Sequence, residues 1–311
     1  MKGRKWTQKA QDAWETQIRG AYGVRKAAMR QELDAIPAEA AGSALTRVQI
    51  EACMARPNEI PIAKWICDDD FRDWSDEKRS KACTAWCETE LLPALKKLDE
   101  NRLHFVGGDF ARTGDATDFV IAEDGVDLVQ RWKMLVELRN VPFDQQREVF
   151  FYIGDRIPRF SKGALDKGGN GAYLAEKAAQ RYGDRIVEVS FSRDWYSREM
   201  VPYIEAFGDK TILLPRHEDV LRDHQALQYV NGVIMVPSDF RFKGSDGLDR
   251  HGDSAVAGAL AWFASRQDYH EYDYRAAGRG ETTGRGMVPD HSDDGPGWWH
   301  PPLGARLRGD I

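Results

Sequence analysis

An α/β fold, a mixed sheet flanked by helices and preceded by a helical region, follows from three features of the 311-residue sequence. Residues 103–138 hold three apolar, strand-like runs in succession, residues 142–236 alternate helix and strand, and helical spacing dominates the first hundred residues. Strands in a row followed by alternation give a layered sheet, and right-handed crossovers bring the ends of its parallel strands together.

In chain order, Trp6, Ala10, Trp14, Ile18 and Tyr22 are spaced for a helix within 1–36, which Pro37 breaks before a small-residue linker, Ala38–Ser43. A second helical stretch covers roughly 44–55, and 60–74 reads as irregular, with Asp68-Asp69-Asp70 as a solvated turn. Ser75, followed by Asp76 and Glu77, starts a helix towards Leu98 whose apolar face carries Trp86, Leu91 and Leu95. The runs at 103–106 and 119–122 form a hairpin around Thr113-Gly114-Asp115, and a third strand lies within 128–138. Pro142 opens an amphipathic helix to about 157. Strands at 161–166, 185–191, 211–214 and 232–236 then alternate with helices near 173–182, 195–207 and 217–229. A polar loop, 238–250, precedes a small-residue helix over 254–264. The expected division is 1–100, 101–266, and a flexible tail at 267–311 that carries Trp298 and Trp299.

Composition narrows the function. With 42% hydrophobic residues the chain can bury a core, and a formal net charge of −6 means that nucleic acid would have to be held by a local basic patch. No apolar run is long enough to span a membrane and no signal core follows Met1, so a soluble, intracellular protein is expected. Cys53, Cys67, Cys83 and Cys87 lack zinc-site spacing and read as buried, reduced thiols.

Three carboxylates occupy comparable places: Asp109 late in the first strand, Asp166 at the end of a later strand, and Asp253 at the start of the last helix. Carboxylates gathered at one sheet edge repel one another unless a cation compensates, and hard oxygen ligands suit Mg²⁺ or Mn²⁺. Two such ions can clamp a phosphodiester displacement. The glycines beside Asp109 and Asp166 are read as room for a phosphate backbone.

Four segments carry a resemblance. They are Gly107-Gly108-Asp109-Phe110-Ala111-Arg112 with Asp115, Leu138–Phe143 with Gln145-Gln146, Leu165-Asp166 with Gly169-Asn170-Gly171 and Leu174-Ala175-Glu176, and Arg250-His251-Gly252-Asp253. In this order they resemble the C-terminal nuclease half of Mu-like phage terminase large subunits, and Met29–Leu33 resembles the linker that precedes it. The resemblance implies an RNase H-like fold and a two-metal endonuclease that cuts phage DNA during packaging in the host cytoplasm. It makes Asp109, Asp166 and Asp253 ligands of two Mg²⁺ or Mn²⁺ ions, with Asp109 the bridge. His251 matches a histidine of some members, or is a helix-start residue bonded to backbone; Asp115 recurs as well, or only caps its turn. Double-stranded DNA is the implied substrate, the portal protein and the small terminase subunit the implied partners, and no membrane is involved.

Lys162, Lys167, Arg241, Lys243 and Arg250 are the expected DNA contacts, Lys167 being either a phosphate ligand or a solvated charge. No Gly-x-x-x-x-Gly-Lys-Ser/Thr occurs, so no ATP site is expected and the chain reads as an excised nuclease half or a split gene product. A junction resolvase or transposase-like nuclease on the same fold, and a docking module that binds DNA or portal without cutting, are the rival readings.

Overall fold

A computed structural model describes residues 8–21, 42–111, 116–169 and 171–267. Asp115, the segment Met29–Leu33 and the tail tryptophans therefore lie outside the described residues.

Helix α1 (Gln8–Ala21) is followed by α2 (Arg47–Ala52), which Thr46 opens with a capping box: its hydroxyl accepts from Gln49 N while Gln49 Oε1 accepts from Thr46 N. The stretch read as irregular contains β1 (Ile62–Ile66). Pro61 at its start masks the alternation, and an edge strand tolerates a proline there. A 3₁₀ turn, Asp69–Asp73, keeps the aspartates at 68–70 exposed. Ser75 caps α3 (Asp76–Trp86), which continues through a π-turn to Leu95.

Then come β2 (His104–Asp109), β3 (Thr117–Asp124), β4 (Gln130–Arg139), α4 (Phe143–Gly154), β5 (Phe160–Asp166), α5 (Gly171–Tyr182) and β6 (Ile186–Val189). They are followed by α6 (Arg193–Asp209), β7 (Ile212–Leu213), α7 (Glu218–Gln225), β8 (Gln228–Val230) and β9 (Val233–Met235). The hairpin β10 (Phe242–Lys243) and β11 (Asp249–Arg250) leads into α8 (Asp253–Ser265). The expected helix over 217–229 stops at Gln225, because residues 228–230 pair with β9 around the left-handed Asn231-Gly232 turn.

The main sheet has the order β1-β4-β3-β2-β5-β6, with β7 beside the start of β4. β3 is antiparallel to both of its neighbours, β2 and β4, while β5 is parallel to β2 and β6 to β5. This is the mixed sheet, RNase H-like in strand order, that the sequence predicts. It also reaches upstream of the boundary expected at residue 101, since β1 pairs in parallel with β4. One apolar layer joins the sheet to α6, α7, α8 and residues 44–60; the other joins it to α3, α4 and α5. All four cysteines are free and buried, and Cys67, Cys83 and Cys87 share the second layer. Among the described residues, no helix is long and apolar enough to cross a membrane.

Candidate active site

Strand periodicity settles which face each carboxylate occupies. Phe105 and Gly107 point towards α8, where a Cβ on Gly107 would lie 2.0 Å from Ala257 O. Asp109, two residues on, shares that face. Asp118 stands directly opposite Asp109 on β3, and Glu137 opposite Asp118 on β4. Asp166 ends β5 one step past the Gly108–Leu165 pair, beside Asp109. A row of four carboxylates, Glu137-Asp118-Asp109-Asp166, thus crosses four adjacent strands at one edge of the α8 face. At the β1 end, Lys64 closes the row with a 2.7 Å ion pair to Glu137.

Asp253 meets this row from above. It is the first residue of α8 and 3% exposed, and the positive helix N-terminus favours its charge. Its Oδ2 accepts from Ala116 N at 3.4 Å and His251 N at 3.5 Å, so it touches the backbone that enters β3. Gly252 precedes it at φ +90°, and a Cβ there would press on Val236 at 2.8 Å.

Burial raises the pKa of Asp166, with one N–H from Gly168 at 2.8 Å opposing the shift. Asp118 is fully buried and neither of its oxygens has a hydrogen-bond partner. Burial first, and Glu137 second, lift its carboxyl well above the usual range against the pull of Arg250. Tyr196 on α6 lies close enough to Asp109 and Asp166 for both charges to raise its phenol pKa further, burial being the larger cause.

The other expected site residues separate. Arg250 is fully buried and cannot meet DNA: it is bonded to Asp223 and Glu137. Lys162 is four residues before Asp166, roughly 13 Å back along the strand, with its ammonium on Asp184 O at the far end of the sheet. It is withdrawn from the acidic edge. Lys167 is exposed next to Asp166, Arg241 is exposed beside β10, and Lys243 pairs with Asp249 at 2.9 Å. His251 bonds Pro237 O through Nε2 at 3.0 Å, the backbone-bound alternative of the sequence reading. The room expected at Gly107 and Gly108 is taken, by the α8 backbone and by Leu165 with Phe119.

Sequence reasoning missed Asp118 and Glu137. Glu137 is a lone carboxylate within an apolar strand run and Asp118 directly precedes one, a pattern that signals a buried charge in need of a partner. The donor set along the row is all oxygen, and the Asp118 carboxyl has no hydrogen-bond partner, so the residues present suit a hard divalent cation. Among the described residues, no three His, Cys, Asp or Glu side chains are already gathered tightly enough to hold one.

No family model matches the chain. It is 37% identical over 264 residues, 84% of its length, to the probable terminase large subunit gp28 of Escherichia phage Mu. It is also 32% identical over 270 residues, 86% of its length, to the Mu-like prophage FluMu protein gp28 of Haemophilus influenzae. The alignments cover 47% and 52% of those proteins, so the chain spans about half their length. Among solved structures, the magnesium-bound large terminase nuclease of thermophilic phage G20c matches with a TM-score of 0.41 at 13% identity, over 53% of this chain and 83% of that one.

Proposed function

The chain is a homologue of Mu-like phage terminase large subunits over about half their length, and from that kinship we propose that it is a metal-dependent endonuclease acting on phage DNA during packaging. The observation that carries the reading is the arrangement of the acidic edge. Asp109 and Asp166 end adjacent parallel strands on one face, and the helix crossing that face begins with Asp253.

In this reading Asp109, Asp166 and Asp253 would hold two Mg²⁺ or Mn²⁺ ions. The chemistry that the bound pair supplies is a clamp on the attacking and leaving oxygens of a phosphodiester. The chain's own residues prepare the ground for it. Ala116 N–H and His251 N–H aim the Asp253 carboxylate, while Gly168 N–H orients that of Asp166. Tyr196, which burial keeps a neutral phenol, walls the site beside Asp109 and Asp166. Lys167, next to Asp166, with Arg241 and Lys243 at β10, would draw the duplex against a net charge of −6. The portal protein and the small terminase subunit are the partners this role implies.

Supercoiled plasmid tests the proposal. The chain is expected to nick it with Mn²⁺ or Mg²⁺ and leave it intact in EDTA. DNA retained without cutting under either ion would favour the docking-module reading, equal cutting in EDTA would remove the metal, and preference for four-way junctions over linear duplex would favour a resolvase.

A further inference from the structure

Arg250 lies at the centre of a buried charge network that the nuclease reading leaves unused. Its Nε and Nη2 span both oxygens of Asp223 on α7, at 3.2 and 2.6 Å. Nη2 also reaches Glu137 Oε1 at 2.7 Å and stands 4.0 Å from Asp118 Oδ2. The Asp223 Oδ2 that Arg250 holds also accepts from Ser254, from the hydroxyl at 2.5 Å and from the amide at 3.3 Å. Ser254 follows Asp253 in the first turn of α8. One guanidinium therefore ties the start of α8, through Asp223, to the sheet row that contains Asp109, through Glu137 and Asp118.

We infer that Arg250 is a positioning residue that sets Asp253 against the acidic row, so that the proposed metal site is assembled from α8 and the sheet in one fixed geometry. This rests on the nuclease reading. A guanidinium at zero exposure is poorly suited to serve packing alone, since apolar residues of similar volume do that as well or better. What an apolar residue cannot do is join three carboxylates on three elements with a planar fork. The acidic row also needs a fixed positive charge that does not itself occupy the Asp109–Asp166 edge. Arg250 sits at the β3–β4 side of the row, away from that edge.

The test is Mn²⁺ uptake by the full chain, read as free Mn²⁺ by electron paramagnetic resonance. Arg250→Lys keeps the charge and loses the fork; the Mn²⁺ midpoint is expected to rise about tenfold or more, the usual effect of removing an outer support of a metal ligand. Ser254→Ala removes one link between Asp223 and α8 and is expected to raise the midpoint less. Ile153→Val, a buried change in the layer on the other side of the sheet, controls for general loss of stability and should leave the midpoint unchanged. If wild type takes up no Mn²⁺, the metal reading falls and this inference falls with it. If wild type binds but Arg250→Lys and Ser254→Ala bind equally well, or Ile153→Val weakens binding as much, the positioning role alone is overturned. Should Arg250→Lys fail to fold, Ser254→Ala decides.

Discussion

Next to Asp223 on α7, His224 is held as a neutral ring by two bonds of opposite sense. Its Nδ1 donates to Val220 O at 2.7 Å, and its Nε2 accepts from Tyr203 OH at 2.8 Å. Protonation would place a charge in a fully buried site and leave the Tyr203 hydroxyl proton without its acceptor. Burial lowers its pKa from 6.5 to about 4. Above pH 6.5 the ring is neutral whether the chain is folded or not, so its contribution to stability is complete there. As pH falls from 6.5 towards 4 the unfolded chain takes up a proton that the folded chain refuses, and stability declines by roughly 3 kcal/mol. Melting temperature should therefore drop over that window more steeply in wild type than in His224→Gln. Equal slopes would show that the buried imidazole is not the group responsible.

At the scale of elements, α8 lies on the sheet almost without side chains between. Ala257, Ala261 and Gly107 meet backbone to backbone, and Gly258 accommodates Trp132 and Tyr203. The small residues of 254–264 were legible as a helix; what they were for was not, because a stripe of Ala and Gly reads the same whether it meets solvent or a strand. Gly107 reads from the sequence as space for a ligand and is in fact space for α8. In Gly107→Ala the new methyl group would fall 2.0 Å from Ala257 O and 2.3 Å from Ala261 N, contacts with backbone that cannot rotate away. Overpacking of this kind costs about 1–3 kcal/mol, or more. The shift also moves the helix that carries Asp253. Gly107→Ala should lower the melting temperature by several degrees and reduce Mn²⁺-dependent nicking in the surviving folded fraction. Unchanged melting and nicking would mean that α8 does not seat directly on β2. Gly108→Ala is a useful companion, since its clash is with side chains of Leu165 and Phe119 on the other face.

For the whole molecule, the sequence order of strands, their antiparallel start and the positions of Asp109, Asp166 and Asp253 at element ends were readable, because each rests on local periodicity and on short connections. Long-range pairing was not. β1 joins the sheet beside β4 across more than sixty residues of intervening chain, and Arg250 reaches Glu137 from 113 residues away. Arg250 and Lys162 read as surface cations because polar surroundings in sequence say nothing about burial in space; the structure buries Arg250 and holds the Lys162 ammonium on Asp184 O. The same limit hid Asp118, whose isolation appears only once Asp109 and Glu137 stand on either side of it. The resulting picture is a fold that carries several carboxylates on one face, with Arg250 and Lys64 compensating those on β3 and β4.

Asp109→Asn tests that picture most directly, through nicking of supercoiled plasmid in Mn²⁺ together with melting temperature in EDTA. The substitution keeps the side-chain shape and removes one charge from between Asp118 and Asp166. Cleavage should fall by orders of magnitude, since metal clamping supplies several kcal/mol of transition-state stabilisation. Melting in EDTA should stay at the wild-type value or rise, because a repelling carboxylate has been removed from the row. Nicking near the wild-type rate, or a collapse of the melting temperature in EDTA, would contradict a metal-binding role for the end of β2.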